Sequence, residues 1–242
     1  MTTSPKSDLK SLLEGTRFLL DRPGATLGIA FMGMFLAALA PLLQLRAGLP
    51  DDPVVDAALM FAGLLPLELY FIPRFLIAAD AMAGQNPLNA PTEWRQRFEE
   101  RWLRAFWGKL VLALFAGLGL SLLVVPGLMV LMAFGWTPLR ILLRGESLAQ
   151  AARNSIRMMA NAWQRVLMAT SVMAMIYLSC IAVLSYVVDR FIPDPTPLVR
   201  LTHPAIWLDN FAASLLSIWL SACLLALFRR VEDLQRPEQA VP

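Results

Sequence analysis

Long apolar blocks separated by short polar stretches dominate the chain. Read with a window of about 19 residues, they give six candidate membrane spans near 25–45, 55–79, 106–125, 127–144, 166–188 and 205–228. The apolar residues run together rather than alternate, which is the pattern of bilayer helices and not of half-buried strands. Spans three and four are separated only by Pro126-Gly127, which predicts a tight hairpin there. The expectation is an all-α, polytopic membrane helical bundle of six transmembrane helices, with residues 1–242 forming a single integral membrane domain.

Each pair of spans is preceded by a stretch with helical periodicity. In 146–164, Leu148, Ala152, Ile156, Met159 and Trp163 recur at spacings of four, four, three and four. Polar residues fall mostly elsewhere, and Ser147 with Gln150 forms a capping box at the start. In 92–107, Trp94, Phe98, Trp102 and Phe106 are four residues apart, and 8–21 repeats the theme through Leu9, Leu12, Leu13, Thr16 and Leu20. An apolar face flanked by Arg and Trp suits a helix lying in the headgroup layer, so these three are predicted to be cytoplasmic interfacial amphipathic helices. Two of them align without gaps: Arg97, Arg101, Trp107 and Lys109 stand 56 residues before Arg153, Arg157, Trp163 and Arg165. Internal duplication gives this match, and so does the selection of Arg and Trp by the interface itself.

Charge orients the bundle. Of 21 Lys and Arg, 18 fall on the segments that are inside when the N-terminus is inside or on the cytoplasmic ends of the adjoining spans (Arg74, Lys109, Arg140 and Arg144); only Arg46, Arg190 and Arg200 fall outside. The outer connections carry Asp51, Asp52, Asp56, Asp189, Asp194 and Asp209 instead. Positive residues resist translocation, so both termini are expected in the cytoplasm of a bacterium, with the chain in its inner membrane. Residues 1–24 are mildly basic and no cleavage motif closes a short apolar core, unlike a secretory signal. Composition agrees: 57% of residues are hydrophobic and 16% charged, where a soluble domain carries roughly 25% charged. The pI near 9.2 belongs to this inside charge and not to a nucleic-acid module, so no nucleic acid is expected. Cys180 and Cys223 sit at different depths of antiparallel spans, too far apart for a disulfide.

Ionisable residues within spans are the default candidates for function. Glu68 lies in LLPLELYFIPRFL near the middle of span two, and Arg140 lies at a similar depth in span four. The two are expected to form an intramembrane pair, either as a packing lock or as part of a transport pathway. Pro66, Pro73 and Pro138 should kink these spans. Span six carries Ala213, Ser217 and Ser221 at intervals of four, a stripe that admits a close neighbouring helix. His203 is the single histidine, and no Walker loop, G-x-G-x-x-G, H-E-x-x-H or G-x-S-x-G is present. No catalytic residue, metal or cofactor is expected.

The stretch 126–165, PGLMVLMAFGWTPLRILLRGESLAQAARNSIRMMANAWQR, resembles part of a family of bacterial six-span membrane proteins. The features in common are Pro126-Gly127, the Gly145-Glu146-Ser147 turn, Ala151-Ala152, Ser155, and Asn161 to Trp163. They are similar to the membrane domain fused to some glycerophosphodiester phosphodiesterases and to stand-alone inner-membrane proteins of the YciC type. The resemblance implies a six-helix membrane domain and no activity. The phosphodiesterase chemistry of the fused proteins resides in a separate barrel, which needs about 250 residues of its own.

The sequence thus reads as a non-enzymatic inner-membrane protein with a structural or interaction role, organising lipid or docking a partner at the cytoplasmic face. Arg97, Arg101, Arg104, Arg153 and Arg157 are the expected contacts with anionic headgroups or that partner; topology control alone also accounts for them. The partners it admits are membrane lipids, a protein at the cytoplasmic face, and a second copy of the chain. The alternative is a transporter or channel-like protein for a small amphiphile or lipid, with Glu68 and Arg140 in its pathway.

Overall fold

A computed structural model describes residues 9–50, 52–83, 91–122, 124–193 and 196–239. Asp51 and Asp194 of the outer connections, and residue 8 of the first amphipathic stretch, lie outside the described residues. All regular structure among those described is helical: α1 (Leu9–Leu20), α2 (Pro23–Ala47), α3 (Pro53–Pro66), a π-helical turn (Leu67–Phe71), α4 (Ile72–Ala83), α5 (Pro91–Leu122), α6 (Val124–Phe134), α7 (Thr137–Arg144), α8 (Leu148–Phe191), α9 (Pro197–Thr202) and α10 (Pro204–Gln239). Five helical stretches are long and apolar enough to cross a bilayer: Pro23–Ala47, Val54–Ala81, Gln96–Gly119, Leu148–Phe191 and Pro204–Leu234.

The fourth expected span, 127–144, is where the structure departs from a simple count. It is broken at Gly135-Trp136 into α6 and α7, of 11 and 8 residues. At ~1.5 Å per residue each is shorter than the ~30 Å hydrocarbon core. Pro138 stands in the first turn of α7, where it lacks only an N–H that no helical carbonyl needs. Pro126-Gly127 is not the hairpin apex: α6 starts at Val124, and Pro126 occupies its first turn for the same reason. In the second span the π-helical turn sits between Pro66 and Pro73. Pro73 removes the donor that would bond the carbonyl of Leu69, and the helix widens there rather than breaking.

The amphipathic stretches also differ from expectation. Neither 92–107 nor 146–164 is a separate in-plane helix; each runs without a break into the span that follows, as α5 and α8. No proline interrupts α8, whose 44 residues extend about 66 Å. Of its expected apolar face, Leu148, Ile156 and Trp163 are about half exposed while Met159 is packed. The packed face is Ala151, Ser155, Met158, Met159, Val166 and Ala169. In α1, likewise, Leu13 and Leu20 are exposed while Ser11 is buried and Gly15 lies against the backbone of Cys223, where an added Cβ would stand 2.6 Å from its Cα.

The chain divides into two compact units: Met1–Gly15, Pro73–Val172 and Cys223–Pro242 in the first, Thr16–Ile72 and Met173–Ala222 in the second. In the second unit, α2 buries Thr26, Ala30, Gly33, Ala37, Ala40 and Gln44 and exposes Leu27, Phe31, Met32, Phe35, Leu39 and Leu43. The small residues are inside and the large apolar ones outside, the reverse of a water-soluble helix. Gly33 admits the hydroxyl of Ser214, and Gly63 packs on the carbonyl of Leu36, so close that a Cβ at either would overlap its neighbour. The small-residue stripe expected on span six takes part nearby: Ser217 lies within hydrogen-bond distance of the Tyr177 hydroxyl. Asp52 caps α3 by accepting the N–H groups of Val54 and Val55, and Arg200 of α9 pairs with Asp56.

Candidate functional site

The first unit gathers most of the charge. Arg144 closes α7, and Gly145, at φ +71°, supplies the left-handed residue that ends it. The Arg144 guanidinium binds Glu232 of α10 in bidentate fashion, with Nε 2.9 Å from Oε1 and Nη2 2.5 Å from Oε2. Its Nη1 also donates to Asp80 Oδ2 of α4 at 3.0 Å. Arg229, one turn before Glu232, reaches the backbone carbonyl of Asp80 at 3.4 Å and its carboxylate at 3.8 Å. Two cations and two carboxylates from three helices therefore balance in a half-buried cluster. Phe228 covers it, 5.7 Å from the Arg144 Cζ, and Trp136 packs tilted against the same ring. Sequence reasoning missed this cluster; its one local signal is Asp80, alone among the apolar residues of FLIAADAMA.

Arg140 has a partner six residues on. The turn at Gly145 swings Glu146 back over it, and Nε and Nη2 donate to the two carboxylate oxygens at 2.9 and 2.5 Å. Nη1 approaches the Met158 sulfur at 3.4 Å. Glu68, the other half of the expected pair, belongs to the second unit and stands half-buried at the start of the π-helical turn.

The five arginines expected to meet headgroups separate into two kinds. Arg101 turns inward: its Nη1 donates to the carbonyl of Leu143 at 3.1 Å, and its guanidinium lies against Gly145, capping the C-terminus of α7. Arg97, Arg104, Arg153 and Arg157 are exposed. Arg104 bonds only the Glu100 carbonyl of its own helix, and Arg97, Arg153 and Arg157 make no hydrogen bond or ion pair among the described residues. The balanced cluster, the Arg140–Glu146 pair and the Arg101 cap are thus a frame, and four arginines are left available on α5 and α8.

Other polar groups have local uses. His203 accepts the N–H of Ala205 at the start of α10, and both thiols are free. Among the described residues no three His, Cys, Asp or Glu side chains gather in a way that could hold a metal. No protein-family model, curated protein or solved structure matches the chain significantly.

Proposed function

We propose that the chain is a non-enzymatic multi-pass protein of a bacterial inner membrane that organises anionic lipid at the cytoplasmic face. The observation that carries the reading is the inverted packing of α2, where Thr26, Ala30, Gly33, Ala37 and Ala40 are packed and Leu27, Phe31, Met32, Phe35, Leu39 and Leu43 are exposed. They are joined by exposed Leu13 and Leu20 of α1 and Leu167, Met168, Met175 and Leu178 of α8. A surface of this extent has no place in water but suits hydrocarbon. The charge distribution puts both termini on one side, which requires an even number of crossings. The five long helices then need a sixth, and α6 with α7 supplies it, in keeping with the six-span family that 126–165 resembles. The broken helix is tolerated because Trp136 and Thr137 at the break are buried in protein. Arg97, Arg104, Arg153 and Arg157 meet the headgroups, at roughly 1 kcal/mol each.

Two measurements test this. In a cysteine-free background, cysteines at Glu99 and Ser147 should resist an impermeant thiol reagent added outside cells, while one at Asp52 reacts. Labelling of Ser147 from outside refutes the sixth crossing. Lipid co-purified with the wild type should be enriched in phosphatidylglycerol, and replacing the four arginines with glutamine should return it to the bulk composition. Unchanged enrichment in that variant refutes the lipid role.

A second reading, a transporter for a small amphiphile, draws on the π-helical turn at Glu68, since such turns recur at functional sites. It requires that Glu68→Gln lose a small molecule retained by the wild type in native mass spectrometry. Equal retention by a folded variant removes it.

A further inference from the structure

Two apolar cavities differ in how their polar groups are used. One, of about 420 Å³ in the second unit, is lined by Thr16, Thr26 and Trp219 among apolar side chains. There the Thr26 hydroxyl donates to the Leu19 carbonyl and the Trp219 indole to Thr16. The other, of about 360 Å³, lies in the first unit between α5, α6, α7 and the start of α8. Its volume is within the ~300–1,000 Å³ of ligand pockets. Its wall is apolar except for Thr137, which is 3% exposed and whose Oγ1 has no hydrogen-bond partner. The reason is local. A helical threonine ordinarily bonds the carbonyl four residues back, but the helix is broken at Gly135-Trp136, and the carbonyl of Ala133 accepts Ser155 Oγ at 2.8 Å. A desolvated hydroxyl without a partner is costly, so it points to an acceptor supplied from elsewhere.

The wall has a direction. Along α5 it runs from Gly108 through Val111 and Leu112 to Phe115, roughly 10 Å, and the α6–α7 leg returns from Val130 to Thr137. Gly108 faces Ile141 and Leu148, placing the Thr137 end of the cavity beside the start of α8. Continued toward the N-terminus, the lining stripe of α5 reaches Arg104, exposed one turn before Gly108. On α8, exposed Arg153 follows the lining residues Ala149 and Ala152. Along α5 the order is therefore cation, then, level with the Thr137 hydroxyl donor, the start of the apolar slot, with Arg153 alongside: the order of phosphate, ester carbonyl and acyl chain in a phospholipid.

We propose that this cavity holds the ester-proximal half of one acyl chain of an anionic phospholipid, with an ester carbonyl accepting from Thr137 and the phosphate against Arg104. This rests on the lipid-organising reading and narrows it to one seat. The full chain is reconstituted in nanodiscs of phosphatidylcholine with phosphatidylglycerol carrying a diazirine midway along one acyl chain, irradiated and mapped. Adducts should concentrate at the Phe115–Val130 end of the slot. In native mass spectrometry the wild type should keep one phosphatidylglycerol per chain, Thr137→Val should keep at least fivefold less, and Ala149→Trp, which fills the slot, should keep none. Adducts spread over outward residues such as Phe31 and Tyr186, or equal retention by Ala149→Trp, overturn the seat. If phosphatidylglycerol is still enriched through the four arginines in that case, the lipid-organising reading stands without it. If no enrichment is seen at all, both fall.

Discussion

Arg144→Met keeps the length and apolar bulk of the side chain but removes the one cation that contacts both Asp80 and Glu232. The two carboxylates then lose the cation that links them, while Arg229 still stands 3.8 Å from the Asp80 carboxylate. Stranding a charge of a buried pair costs about 3–5 kcal/mol. The Arg144 side chain keeps 29% of its exposure, so water screens part of the loss and about 3 kcal/mol is expected. For a chain of this size that lowers Tm by roughly 6–12 °C. Thermal unfolding in mild detergent can be followed by circular dichroism and by tryptophan fluorescence, because Trp136 packs on the Phe228 ring under Arg144 and senses the site directly. Glu232→Met alone should cost a similar amount, and the double variant should fall short of the sum by at least about 1.5 kcal/mol. Single variants that melt within 2 °C of the wild type, or a double variant that is strictly additive, would show that the cluster does not clamp α4, α7 and α10.

Gly33→Ala forces a Cβ against Ser214 and should cost about 2 kcal/mol, with partial recovery in Gly33→Ala/Ser214→Gly; chemical unfolding of the three chains measures it. Arg101→Gln removes a charge-assisted bond to the last turn of α7 and should cost about 1.5 kcal/mol by the same assay, with no change in co-purified lipid. Thr137→Val, measured after delipidation, should be more stable than the wild type by about 1 kcal/mol because an unpartnered buried hydroxyl is gone. A loss of stability there would mean the hydroxyl has a partner in the lipid-free protein.

Helix content was readable from block length alone, because hydropathy and spacing are local properties. What escaped depended on groups distant in sequence or on direction. Asp80, Arg144 and Glu232 meet across 64 and 88 residues, and nothing local in one chain records such a meeting. Depth along a straight span matched Arg140 to Glu68; the Arg140–Glu146 pair was not foreseen, because it depends on the chain reversal at Gly145. The stripe Leu148, Ala152, Ile156 was found as apolar and assigned to the membrane interface; Leu148 and Ile156 are exposed, and what periodicity did not show is that the stretch continues without a break into the following span. Of the candidate arginines, Arg97, Arg104, Arg153 and Arg157 stand exposed as their positions suggested. Arg101 differs only because the end of α7 happens to lie within its reach.

The small-residue face of α2 has a thermodynamic consequence. In water, separating packed helices exposes apolar surface to solvent, and the resulting heat-capacity change curves stability with temperature. On the membrane reading proposed above, the parting of Ala30, Gly33 and Ala37 from their neighbours exchanges protein contacts for lipid contacts, and no apolar surface becomes hydrated. Cohesion of this seam then rests on close-range dispersion and a few hydroxyl bonds. Its association should show almost no heat-capacity change and should weaken on heating along a nearly straight line, with no cold-side loss of stability.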